Sequence, residues 1–223
     1  MNRAAIKEFD KMSDSLSTLN AQFAYRLMNL CVKSEPVSLL PVTVVIDGEQ
    51  MKLEECAKIS KDDDYTFKII PDFSSDIPAL AQAIFRAHPE FKQEMQTMDV
   101  DYVDEDGDEQ VEKMNYILLT MPDVDDERYD VLKDGVKVIY EDTKVSMENV
   151  IANADAKMAE MMKDESEADV EKLKKSRDKQ VKIWTEQRDK VHAEKLQEIE
   201  EAHYKWLNEE SERRLEILKN LKN

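Results

Sequence analysis

Glycine is nearly absent from this chain, with three in 223 residues. A glycine-rich phosphate cradle needs several close together, so that chemistry is excluded. Two cysteines, Cys31 and Cys56, are too few for a disulfide scaffold and form no metal-ligand spacing. They fit a reduced, cytoplasmic chain. The three histidines, His88, His192 and His203, are scattered. His192 and His203 lie about three turns apart on one expected helix, too far to share a ligand, and read as surface or edge residues. There is no GxSxG elbow and no cysteine–histidine pair placed as nucleophile and base. No apolar run approaches the roughly 20 residues of a membrane span. The polar start MNRAAIKEFDKMSDSL does not read as a secretory signal. These absences point away from an enzyme, a cofactor, a metal site and a membrane.

Acid is what the chain has in abundance. Fifty acidic side chains face 32 basic ones, for a formal net charge of −18. That opposes non-specific binding to phosphate-bearing nucleic acid or anionic membrane. Residues 34–121 hold most of it, with 20 acidic and 7 basic side chains. Residues 99–112, DVDYVDEDGDEQVE, carry eight acids and no base, and read as a mobile, solvated loop or hairpin tip. A calcium loop with Gly107 at its sixth position would start at Tyr102 and end at Lys113, where carboxylates are required. The solvated loop is therefore the preferred reading. Paired carboxylates elsewhere are equally explained by a solvated face.

Apolar periodicity gives the architecture. Met12, Leu16, Leu19, Phe23, Leu27 and Leu30 step by 4, 3, 4, 4 and 3, a coiled-coil-like seam on a helix over about 3–31, with Leu19 and Phe23 expected in the core. Ser34–Pro36 ends it, since the residue before proline disfavours helix. PVTVVIDGEQMKL reads as strand, Asp47-Gly48 turn, strand. ECAKIS and YTFKII are short strands. Asp76 is a candidate cap for a helix through ALAQAIFRA, with Pro78 in its first turn and Pro89 after its end. YILLT is a last strand.

Asp125 or Asp126 caps the next helix, whose stripe is Leu132, Val136, Ile139, Thr143, Met147, Val150, Ala154, Met158 and Met161. After a turn at Asp164–Ser166, a helix over 167–220 would span about 80 Å. Its stripe includes Val170, Leu173, Val181, Trp184, Val191, Ile199, Ala202 and Trp206. Both tryptophans read as core residues, with Trp206 near the bundle end as a candidate partner contact.

The first helix cannot bury its stripe alone, so it needs helices more than a hundred residues later. The expected fold class is α+β. Residues 1–33 plus 122–223 form a discontinuous three-helix bundle, and 34–121 an inserted, β-rich α/β domain.

This order and spacing resembles the ribosome recycling factor family. SLLPVTVVIDGEQMKLEECAKISKDDDYTFKIIPDFSSDIPALAQAI is similar to the family's Ser-Leu-Leu, strand, Gly turn, strands and helix. MPDVDDERYDVLKDGVKVIYEDTKVSMENVIANADAKM resembles its stretch from Pro and Thr-Glu-Glu-Arg through Val-Arg-Asn-Val-Arg-Arg-Asp. The likeness covers about residues 5–206. It implies a bundle that binds between ribosomal subunits with elongation factor G as partner, and a basic face on the second bundle helix that contacts ribosomal RNA. Here that face reads Glu148, Asn149, Val150, Ile151 and Ala152, with Lys144 where another family arginine stands. The hinge leaving the first helix, Arg-Thr-Gly-Arg in the family, is Cys31-Val32-Lys33-Ser34, and the chain returns through Met121-Pro122. The resemblance implies hinge positions at Lys33, Ser34, Met121 and Pro122.

The function expected from these residues is a non-enzymatic, translation-related binding protein. It would be a diverged paralogue with weakened ribosome binding. The alternative is an acidic protein-interaction module that reuses the fold with a basic protein partner.

Overall fold

The computed structural model describes residues 2–103 and 109–221. The described residues contain four α-helices: α1 (Arg3–Met28), α2 (Ile77–Ala87), α3 (Asp126–Met161) and α4 (Glu167–Asn220). The strands are β1 (Thr43–Ile46), β2 (Glu49–Lys52), β3 (Ala57–Lys61), β4 (Thr66–Pro71), β5 (Lys92–Val103) and β6 (Glu109–Thr120). The chain divides into two compact units, Met1–Leu30 with Asp125–Asn223, and Cys31–Val124.

In the first unit α1 packs against both α3 and α4. Asn2 caps α1 by accepting from the Ala4 amide, and its Nδ2 donates to the Met161 carbonyl at 2.8 Å. Asp125 caps α3, accepting from the Arg128 amide, and Ser166 caps α4, accepting from Asp169. Ala5, Met12, Leu16, Met147, Ala154, Met158, Met162 and Leu173 form one apolar cluster. A large apolar side chain buried this way contributes about 1.5–3 kcal/mol, several times what helix propensity supplies per residue.

Three details differ from the sequence reading. Leu19 is only half-buried, because the buried stripe steps four residues from Leu16 to Asn20 before reaching Phe23. Val170 is exposed, lining a cavity beside Met158, Met162 and Leu173 rather than filling the core. The first helix stops at Met28 rather than at Ser34–Pro36. Asn29 closes it by donating to the Leu27 and Tyr25 carbonyls, and Cys31 follows in the left-handed region at φ 51°.

The second unit holds a β1–β2 hairpin and a separate antiparallel sheet in the order β3-β4-β6-β5. The hairpin turns through Asp47 and Gly48, both at positive φ, as a two-residue turn of its hand requires. Helix α2 packs on β1 and β6. Leu39, Val44, Leu53, Phe67, Ile69, Leu80, Ile84, Phe91 and Leu119 fill the core between them.

Asp76 precedes α2 without a side-chain capping bond, since a short 3₁₀ turn over Ser74–Asp76 leads into the helix instead. Of the two readings of the acidic stretch, loop or hairpin tip, the described residues show the arms of a hairpin. Residues 99–103 and 109–112 belong to β5 and β6, with Asp99 opposite Lys113 and Asp101 opposite Val111. Pairing there is through the backbone, so it needs no apolar side chains. Residues 104–108, with Gly107 and the middle of the Tyr102–Lys113 calcium reading, lie outside the described residues.

Candidate functional site

Lys144, Glu148, Ile151 and Ala152 recur at helical spacing on α3 and so share a face, with Asn149 beside it. Glu148, Asn149 and Ala152 are exposed. Ile151 is not fully part of that surface: it is half-buried and, with Val150, packs against the bundle core. Lys144, the one cation of the set, has a side chain 42% exposed, with its Nζ 3.9 Å from Glu141. The face therefore presents a paired lysine, an amide, a carboxylate and a methyl group. Across α3 as a whole, nine acidic side chains outnumber five basic ones. Such a surface offers no guanidinium fork to a phosphate.

The positions taken as hinges have defined partners in the second unit. The Ser34 amide donates to the Asp64 carbonyl at 2.8 Å, and its hydroxyl to the Asp63 carbonyl at 2.5 Å. Lys33 Nζ lies 3.9 Å from Asp64. The Met121 amide donates to the Tyr65 carbonyl at 2.8 Å. Lys33, Ser34, Met121 and Pro122 all fall inside the second unit.

Helix α4 carries a basic run that apolar periodicity does not reveal. Between residues 172 and 182 stand Lys172, Lys174, Lys175, Arg177, Lys179 and Lys182, against the single acid Asp178. Local charge counting, rather than net charge, is the signal that finds it. The lysines are exposed. Arg177 is held by Asp155 of α3, accepting from Nε at 2.9 Å and from Nη2, and by Asp178 at 2.8 Å. Its hydrogen bonds to Asp155 push the guanidinium pKa further up. Lys174 and Arg177 also line an apolar cavity of about 350 Å³ with Met158, Met162 and Leu173.

The tryptophans and histidines of α4 have neighbours within the bundle. Trp184 packs against the core cluster with its indole Nε1 buried and lacking a partner among the described residues. Trp206 stacks on His203 at 5.8 Å, and His203 stacks on Tyr129 at 4.3 Å. His192 lies against the Tyr140 ring at 4.3 Å. No helix of the described residues is long and apolar enough to cross a membrane.

A three-helix bundle interrupted after its first helix by a β-rich unit is the architecture that this chain shares with ribosome recycling factors. The family model for ribosome recycling factor matches residues 28–199, and this chain belongs to that family. One solved structure it resembles is the solution structure of a ribosome recycling factor, at 17% identity, TM-score 0.66, covering 90% of this chain and 100% of that one. Another is the T. thermophilus ribosome recycling factor, described with E. coli elongation factor G bound to the E. coli post-termination complex, at 17% identity and TM-score 0.55, covering 89% and 99%. No curated protein sequence matches.

Proposed function

We propose that this chain is a non-enzymatic, cytoplasmic recycling-factor-like protein of translation whose direct grip on ribosomal RNA through α3 is weakened. Its partners, by family resemblance, are the ribosome and elongation factor G. The observation that carries the reading is the outward face of α3, with Glu148, Asn149 and Ala152 exposed and Lys144 beside Glu141. A charge-assisted hydrogen bond is worth about 1.5–3 kcal/mol. Losing two, and facing phosphate with a carboxylate, amounts to a factor of hundreds in affinity. The net charge of −18 slows encounter with RNA as well.

The test is co-sedimentation with 70S and 50S particles across a salt series. The wild-type chain should stay in the supernatant at moderate salt. Glu148→Arg with Ala152→Arg should gain binding with a steeper salt dependence, about one unit of slope per new phosphate contact. Ile151 is left in place, because its side chain is engaged in the core. Whatever wild-type binding remains at low salt should fall when Lys174 and Lys179 of the α4 basic run become glutamate. Tight wild-type binding at moderate salt, or rescue of cells depleted of recycling factor, would overturn the reading.

The acid excess of residues 34–121 favours a second reading, an interaction module for a basic protein partner. It predicts salt-sensitive capture of a basic protein by the isolated second unit, with ribosomes absent.

A further inference from the structure

Cys31, His88 and Glu90 each place one metal-ligating atom within 4.8 Å of the other two. All three belong to the second unit. Cys31 follows the first helix, His88 closes α2, and 57 positions separate them, so no spacing motif announces the group. Cys31 is 3% exposed, the His88 side chain 15% and the Glu90 side chain 44%. The site is enclosed at the thiol and opens at the carboxylate. Neither cysteine of the chain is in a disulfide.

The imidazole orientation is informative. His88 Nε2 lies 2.9 Å from the Ser38 carbonyl oxygen. A carbonyl only accepts, so Nε2 carries the hydrogen. The other nitrogen, Nδ1, faces Glu90 Oε1 at 3.3 Å. An ionised carboxylate also only accepts, so these two atoms need a positive centre between them: a proton or a cation. The ring is fixed beforehand, stacked on Phe91 at 4.4 Å and 4°. Its backbone amide is held by the Ile84 carbonyl at 2.8 Å. A histidine whose far nitrogen donates to a carbonyl while its near nitrogen faces other ligand atoms has the second-shell support that metal-binding histidines need. Cys31 holds a left-handed backbone, rare for a side-chain-bearing residue.

We propose that Cys31 Sγ, His88 Nδ1 and a Glu90 carboxylate oxygen bind one zinc-class divalent transition-metal ion, with solvent as fourth ligand. Bonds of about 2.0–2.2 Å to N and O at the tetrahedral angle set those atoms roughly 3.3–3.5 Å apart, matching the 3.3 Å between Nδ1 and Oε1. A bond of about 2.3 Å to sulfur sets it roughly 3.6 Å from the nitrogen, inside the 4.8 Å within which the three groups gather their ligating atoms. Thiolate and carboxylate together neutralise a dication, and binding releases the thiol proton. Thiol and imidazole select against calcium and magnesium.

The experiment is a Co²⁺ titration of the full-length, reduced, chelator-treated chain, read by absorbance and followed by displacement with Zn²⁺. The wild type should saturate at one equivalent, with thiolate-to-cobalt charge transfer and tetrahedral ligand-field bands, both erased by Zn²⁺. Cys31→Ser should lose the charge-transfer band, and Cys56→Ser should keep it. Glu90→Gln alters an exposed side chain and leaves the fold intact, so it guards against a folding artefact. It should weaken affinity about tenfold or more. Absence of a thiolate band at saturation, its persistence in Cys31→Ser, or an unchanged titration in Glu90→Gln would overturn the proposal.

Discussion

The Arg188 guanidinium lies over the Tyr140 ring, 4.7 Å from its centroid, and Nη2 donates to the Tyr140 hydroxyl at 3.0 Å. The hydroxyl donates in turn to Asp189 Oδ1 at 2.9 Å, an oxygen that also accepts from Arg188 Nε and Nη2 at 2.9 and 2.6 Å. Arg188 is 6% exposed, and Phe23 of α1 meets Tyr140 edge-on. A charged network thus sits where all three bundle helices meet. Arg188→Met should cost about 1–3 kcal/mol, with Asp189 exposed enough to regain solvent. Tyr140→Phe should cost about 1 kcal/mol. Urea melts read both, and a neutral Arg188→Met would show that the network is idle.

The shape of the α1 seam gives a second expectation. Leu16→Ala should cost about 2–5 kcal/mol, and half-buried Leu19→Ala distinctly less. Asn20 is buried; its Nδ2 donates to the Leu16 carbonyl at 3.0 Å, while its Oδ1 has no partner among the described residues. Asn20→Leu removes that unsatisfied oxygen without orphaning a backbone group, and should raise stability by about 1 kcal/mol. A lowered denaturation midpoint in Asn20→Leu would show that the amide is used.

Acid should weaken the bundle through two groups. A hydrogen bond from Lys157 at 2.7 Å holds the Glu8 carboxyl below its ordinary range. A carboxyl depressed in the fold contributes stability above its unfolded pKa and loses it as pH falls. Burial lowers the His192 pKa. The unfolded imidazole then takes its proton first, and stability again falls as pH drops below about 6.5. Melting temperature followed from pH 8 to about pH 2 should decline in two stages. His192→Gln should flatten the upper stage and Glu8→Gln the lower. An unaltered profile in both variants would refute the assignment.

The end of α4 should be dispensable for bundle stability. Every residue from 211 to 221 is exposed, and the side-chain links there are within the helix, such as Arg214 to Glu210 at 3.0 Å. A chain ending at Glu210 should keep its unfolding free energy within about 0.5 kcal/mol. A larger loss at high protein concentration only would indicate that these residues cover one another between copies.

Strongly periodic segments were legible in the sequence. The three bundle helices, the Asp47-Gly48 hairpin and β4 each carry a local pattern that says what they are. Strand β5 was not legible, because its apolar alternation, Met98, Val100 and Tyr102, is confined to the acidic second half and KQEMQT before it carries none. The end of α1 was misplaced for a related reason: Cys31 takes the left-handed conformation that a sequence reader expects from glycine. The α3 face was found only through the resemblance, and no spacing distinguished Ile151, half in the core, from its exposed neighbours. The α4 basic run was hidden by a net charge of opposite sign. Cys31 is brought to His88 and Glu90, themselves two positions apart, by the fold and by nothing closer in the chain.

The amides of Ser34 and Met121 donate to the carbonyls of Asp64 and Tyr65, two consecutive residues. The segment between them therefore begins and ends at one spot, each end stitched to the same turn. A piece of polypeptide arranged so is portable. It can be lifted from its host by two neighbouring cuts, or grafted into another loop, without stretching the chain on either side.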